Sequence, residues 1–105
     1  MVTTELGGNI VLENFEIDNQ EMIVVKKIVG NYAKKIRYFK EYQELKLEMK
    51  THLKAKNRHF EVKALLTFDH GTASSESQGL NFFVLINEVL EKILQEVKNK
   101  IRKEK

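Results

Sequence analysis

Apolar and polar positions follow two rhythms along this chain. In the first third, Val25, Ile28, Val29, Tyr32, Ile36 and Phe39 recur so that they share one face at 3.6 residues per turn. This predicts a helix from about Asn19 to Phe39. Asp18 can cap it, with Glu21 three residues later in capping-box spacing. Gly30 lies inside it at a cost of about 1 kcal/mol relative to alanine, and its missing side chain is expected to allow close packing on a strand. A second stripe, Phe82, Ile86, Val89, Ile93, Val97 and Ile101, predicts a last helix capped by Asn81. Phe83, Leu85, Leu90 and Leu94 widen that stripe in its first half only, so the early half should be buried and the end should project.

Between the helices the period falls to two. Leu45, Leu47, Met49, Thr51 and Leu53 alternate with Glu44, Lys46, Glu48, Lys50, His52 and Lys54, which is the pattern of a strand with one wet face. Phe60, Val62, Ala64, Leu66 and Phe68 form a second long strand, joined to the first by a turn over Ala55–Arg58. Asp69-His70-Gly71 is a further turn. Thr72 to Ser77 reads as an edge strand with Ala73, Ser75 and Ser77 inward. Ile10 to Phe15 is a short strand before the first helix. The order is β-α-β-β-β-α, an α+β fold with a four-stranded mixed sheet and two helices packed on one face. The first strand–helix–strand unit should be a right-handed parallel crossover, and the next three strands an antiparallel meander. Residues 1–9 read as a flexible leader loosened by Gly7 and Gly8, and residues 10–105 as a single domain.

Charge changes this picture more than composition does. The 105 residues suffice for one domain, and a chain of this size buries roughly two-thirds of its unfolded surface. There is no cysteine, which excludes disulfides and thiolate metal sites. No apolar run approaches a membrane span, and the N-terminus lacks a signal-peptide pattern, so the protein is expected in the cytoplasm. The net charge of +3 is small, which makes its distribution the informative part. Between Met22 and Lys40 there is no acidic residue but six basic ones: Lys26, Lys27, Lys34, Lys35, Arg37 and Lys40. Lys27 and Lys34 lie opposite the apolar stripe, Lys26 and Arg37 flank one side and Lys35 the other. A solvated helix normally mixes signs, because Glu–Lys pairs support it. A face with cations alone is either a solubilising lysine surface or a surface for an anionic partner.

Other candidate chemistry is thinner. Lys98, Lys100, Arg102, Lys103 and Lys105 favour the C-terminal end of a helix dipole and can also meet a polyanion. On the wet sheet face, Lys46, Lys50, Lys54 and Lys63 interleave with Glu44, Glu48 and Glu61, a pattern that cross-strand ion pairs explain. Lys56 and Arg58 in the hairpin turn are within reach of a phosphate. Phe60 and Phe68 fall on the inward face, which leaves no aromatic platform for bases on the sheet. His52 and His59 approach across the hairpin without the partners of a metal site. Ser74, Ser75 and Ser77 have no evident base beside them, and no Gly-Lys-Ser/Thr follows the glycines. The Phe82-Phe83 pair reads as core. No catalytic set, metal site or cofactor is predicted, and an enzyme is the class least favoured.

Several segments, taken in order, resemble the ribosome hibernation promoting factor family, also called protein Y. Arg37-Tyr38-Phe39 is similar to the Arg-Tyr-Phe that closes that family's first helix. Glu61 to Gly71, read Glu-Val-Lys-Ala-Leu-Leu-Thr-Phe-Asp-His-Gly, resembles its third strand and turn. Ala73-Ser74-Ser75-Glu76 resembles its Ala-Ser-Ala-Glu strand. Asn81 falls at its aspartate cap, and Ile86-Asn87 and Glu91-Lys92-Ile93 are similar to Ile-Asp and Asp-Lys-Leu of its last helix. Lys98 falls in its Leu-Lys-Lys segment. The resemblance spans Ile10 to Lys103. Gln95, Glu88 and Glu96 depart from it by making the last helix less cationic, the fourth strand is richer in serine, and the leader is longer.

The resemblance implies binding to the small ribosomal subunit in the channel for mRNA and tRNA, with translation silenced by steric occlusion and no catalysis. It implies a short-form factor, since the chain ends right after the last helix, without the C-terminal domain by which long members pair ribosomes. The expected rRNA contacts are Lys26, Lys27, Lys34, Lys35 and Arg37 on the first helix and Lys92, Lys98, Lys100, Arg102 and Lys103 on the last, with Lys56 and Arg58 as further contacts. The partners expected are the small subunit and its rRNA, with no membrane and no small-molecule substrate, and a monomer when free. Two other classes stay open: a general double-stranded RNA-binding module, and a module that dimerises through the edge of the weak fourth strand.

Overall fold

The structure, a computed structural model, describes residues 3–54 and 56–103, without the side chains of Lys54 and residues 101–103. Its elements in chain order are β1 (Thr3–Glu5), β2 (Ile10–Glu13), α1 (Asn19–Phe39), β3 (Glu44–Lys54), β4 (Asn57–Phe68), β5 (Gly71–Gly79) and α2 (Phe82–Lys103). The sheet has five strands in the order β1-β2-β3-β4-β5. β2 and β3 are parallel across α1, and β3, β4 and β5 form an antiparallel meander. No helix among the described residues is long and apolar enough to cross a membrane.

The sheet corrects the four-strand expectation. Thr3–Glu5, read as part of a loose leader, is a strand antiparallel to β2, with Thr4 opposite Leu12. Gly7, Gly8 and Asn9 all adopt left-handed backbone, with φ of 77°, 62° and 62°. Glycine takes that conformation without a Cβ penalty, so the Gly-Gly pair makes a tight turn here. Leu6 N–H donates to Ile10 O at 2.9 Å across it.

Both helices start where their caps predict. Glu21 N–H donates to Asp18 Oδ1 at 2.7 Å, and Asp18 N–H donates back to Glu21 Oε1 at 3.1 Å. The Asn81 side chain accepts from Phe83 N–H at 3.0 Å. Val25, Val29, Ala33 and Ile36 are the buried line of α1, flanked by half-buried Ile28 and Tyr32. α2 buries Phe82, Leu85, Ile86, Val89, Leu90, Ile93, Leu94 and Val97. These pack in one cluster with Ile10 and Leu12 of β2, Leu45, Leu47 and Met49 of β3, and Phe60, Val62, Ala64, Leu66 and Phe68 of β4.

Two further readings need correction. Gly30 does not pack closely on a strand: a Cβ added there would meet nothing within 4 Å. Thr51 and Leu53 share the inward face of β3 but are exposed, Leu53 by 76%. The hairpin also turns more tightly than expected, because Asn57 pairs with Lys54 and already belongs to β4, as does Arg58. The β3–β4 hairpin therefore runs past the helices, in a molecule of 51 × 24 × 21 Å.

Candidate nucleic-acid interface

On the sheet's wet face, Lys46, Lys50 and Lys63 each have a carboxylate neighbour. Lys46 Nζ lies 3.3 Å from Glu13, Lys50 3.9 Å from Glu48, and Lys63 3.8 Å from Glu61 and 4.0 Å from Glu76. His52 Nε2 lies 3.5 Å from Glu61 and faces His59 across the hairpin. Exposed pairs of this kind contribute little stability, but they leave little unbalanced field on that side.

The helix side differs. Lys26, Lys27, Lys34, Lys35 and Arg37 are exposed along α1, and Lys92 along α2, while Lys98 and Lys100 are half-buried. Every salt bridge found among the described residues belongs to the sheet face. None holds these helix cations. Their charge therefore faces solvent uncompensated by direct ion pairs, which is the arrangement that attracts a polyanion.

Individual cations are anchored differently. Arg37 Nη2 donates to Gly8 O at 2.7 Å and the guanidinium sits 4.9 Å from the centre of the Tyr42 ring. The Tyr42 hydroxyl donates to the same carbonyl at 2.8 Å, so Arg37 ties the end of α1 to the β1–β2 turn. Lys35 lies over Tyr32 at 5.0 Å and Lys98 over Phe39 at 5.2 Å. Lys100 Nζ donates to Thr72 O at 2.8 Å and lies 4.9 Å from the centre of the Phe68 ring. Lys26, Lys27 and Lys34 project from the rigid helix surface.

Lys35 and Lys98 converge on Glu91, an exposed acid at the helix–helix seam. The Gln95 amide donates to Glu91 Oε1 at 3.1 Å. That bond, then one from the Tyr32 hydroxyl, then Lys98 and Lys35, holds the Glu91 carboxyl below its usual range. Tyr32 is raised, first by burial and then by Glu91. The middle of α2 is acidic as well: Glu88, Glu91 and Glu96 surround Lys92 along an open groove. The unpaired positive surface is thus α1 with the later part of α2. Arg102 and Lys103 belong to α2, but their side chains, like all of Lys105, lie outside the described residues.

Lys56 and Arg58 are exposed on the hairpin, at the helix N-terminal end of the molecule and far from Arg37. Arg58 lines a depression with Glu21, Leu80 and Asn81 near the helix N-termini. Arg37 is roughly 24 Å further along α1 than Glu21, at 1.5 Å per residue.

One correction concerns the serines. Ser77 does have a carboxylate beside it: its hydroxyl donates to Glu88 Oε2 at 2.6 Å. Nucleophilic catalysis needs a base oriented by a third group, and no further hydrogen bond among the described residues orients Glu88. The bond ties β5 to α2. No three His, Cys, Asp or Glu side chains among the described residues gather as a metal set.

The sequence places Tyr38 in the Arg-Tyr-Phe segment but not among the expected contacts, and it is 84% exposed at the end of α1. The signal was available. Tyr38 falls four residues after Lys34 and eleven after Lys27, on the outward row rather than in the apolar stripe.

These features define a class: an α+β domain with two helices on one face of a mixed sheet and its unpaired cations on the helix side. The crystal structure of the Thermus thermophilus protein Y N-terminal domain has this fold, with a TM-score of 0.53 and 18% sequence identity over 84% of this chain and 91% of that one. This structural neighbour is a protein Y domain, the family that the sequence motifs resemble. No family model and no curated protein matches the sequence.

Proposed function

We propose that this chain is a ribosome hibernation factor that binds the small subunit through rRNA, fills the mRNA and tRNA channel, and silences translation by occlusion. The single observation that carries this reading is the row of exposed α1 cations that make no salt bridge among the described residues, on a molecule whose sheet cations Lys46, Lys50 and Lys63 are paired. The protein Y fold and the colinear motifs support the same reading. In it, Lys26, Lys27, Lys34 and Lys35 track phosphates, each releasing counterions as it docks. Arg37 adds its free guanidinium edge, and Lys92, Lys98, Lys100, Arg102 and Lys103 extend the contact along α2. The hairpin cations Lys56 and Arg58 reach a separate stretch of rRNA. The protein works in the cytoplasm, as a monomer until it binds, without cofactor or catalysis.

Competition for purified small subunits tests the occlusion step. Saturating mRNA with tRNA should displace the bound chain, and the chain should inhibit translation in a purified system. Simultaneous full occupancy by all three would contradict occlusion.

A second reading has one observation in its favour. Gln43 N–H donates to Thr67 O, so Thr67 bonds toward β3 and its partner Thr72 turns its own N–H and C=O outward. By alternation, Ser74, Glu76 and Gln78 do the same, giving β5 a free edge of the kind that pairs with another copy. Lys100 blunts that edge at Thr72 O.

A further inference from the structure

Along α1 the outward row reads Lys27, Asn31, Lys34, Tyr38, at spacings of four, three and four residues. An aromatic residue therefore closes a row that otherwise offers charge and an amide. Tyr38 is the most exposed large hydrophobic residue among those described, at 84%. Its ring nonetheless has an intramolecular partner. It meets Phe39 edge to face, with centroids 5.1 Å apart and planes at 85°. Phe39 is in turn covered by Lys98 at 5.2 Å. The sequence Lys98, Phe39, Tyr38 is a brace that runs from α2 across the end of α1 to solvent.

A braced ring with open faces, beside Lys34 and Lys35 on the same helix, has the two parts of a single-strand RNA platform. Cations draw the backbone in, and an aromatic face receives a base. Bases in a duplex are already stacked on each other and cannot use it. An unpaired base can, whatever its identity, because every base has a π-face.

We propose that Tyr38 is a stacking platform for an unpaired rRNA base at the end of the α1 cation row. This rests on the reading of α1 as an RNA-binding face. It adds a contact with bases to one otherwise made with phosphates, and it selects single-stranded or bulged rRNA.

The chain has no tryptophan, so Tyr38→Trp introduces a single reporter at this position. Wild type, Tyr38→Ala, Tyr38→Phe and Tyr38→Trp would be titrated with purified small subunits at several salt concentrations, alongside Lys27→Glu/Lys34→Glu/Lys35→Glu. Tyr38→Ala is expected to weaken binding by roughly tenfold or more with the salt slope unchanged. Tyr38→Phe should bind like wild type, because the ring and not the hydroxyl makes the stack. The tryptophan emission should be quenched in the complex. Stacking is overturned if Tyr38→Ala binds as tightly as wild type, if Tyr38→Phe is as weak as Tyr38→Ala, or if the emission is unchanged at saturation. Should the triple reversal release the protein while Tyr38→Ala does not, only the stacking role fails. Failure of wild type to bind small subunits removes the reading of α1 and the stacking role together.

Discussion

Residues of one type do different work here, and their neighbours decide which. Arg37 and Lys34 are both exposed cations of α1, yet Arg37 spends one donor on Gly8 O and its flat face on Tyr42. A planar guanidinium does both while keeping further donors at its edge, whereas the Lys34 ammonium has no such anchor among the described residues and projects to solvent. Gly8 and Gly30 contrast in the same way. Gly8 has φ of 62° and a Cβ there would stand 3.6 Å from Arg37 Nη2, so glycine suits its turn. Gly30 sits in mid-helix beside open space. Gly30→Ala should therefore stabilise the fold by about 0.5–1 kcal/mol, by reducing unfolded-chain entropy. A raised midpoint of urea unfolding would show it, and a lowered one would mean that α1 needs the missing side chain.

At the scale of elements, legibility followed the strength of the local signal. The Asp18–Glu21 box, the stripes of α1 and α2 and the alternation of β4 were readable because each combines periodicity with a capping or turn residue. β1 was not, because Thr-Thr-Glu offers no hydrophobic alternation and its pairing with β2 depends on a left-handed Gly-Gly-Asn turn. Thr51 and Leu53 have the right parity for the core but lie where no helix covers them, a fact about element lengths and not about pattern. The surplus of lysine on α1 was plain in the sequence. That Lys100 would bond to Thr72 and Arg37 to Gly8 was not, since those contacts join residues 28 and 29 apart.

The seam between the helices carries a pH dependence. Hydrogen bonds from Gln95 and Tyr32, with Lys98 and Lys35 nearby, hold the Glu91 carboxyl below its usual range. The ionised form is thus favoured in the folded state. Its contribution is present above the unfolded glutamate range and is lost as pH falls through the depressed folded value. Urea unfolding of wild type and Glu91→Gln across the acidic range should show wild type ahead at neutral pH and the gap closing as pH falls. A gap that stays constant with pH would contradict the role assigned to this carboxylate.

For the whole molecule, the net charge of +3 understates the asymmetry. The sheet face pairs Lys46, Lys50 and Lys63 with Glu13, Glu48, Glu61 and Glu76, and α1 has no acid between Met22 and Lys40 to pair with its own. In the proposed reading, this asymmetry orients the helix side toward the polyanion before contact. The protein Y fold provides the frame on which that face is displayed. Co-sedimentation with purified small subunits at graded salt, comparing wild type with Lys27→Glu/Lys34→Glu/Lys35→Glu, addresses this asymmetry most directly. The triple variant leaves the Arg37 anchor intact and should keep its circular dichroism. We expect wild type to pellet with the subunits and to dissociate as salt rises, and the triple variant to remain in the supernatant even at low salt. A folded triple variant that pellets as fully as wild type would contradict the account.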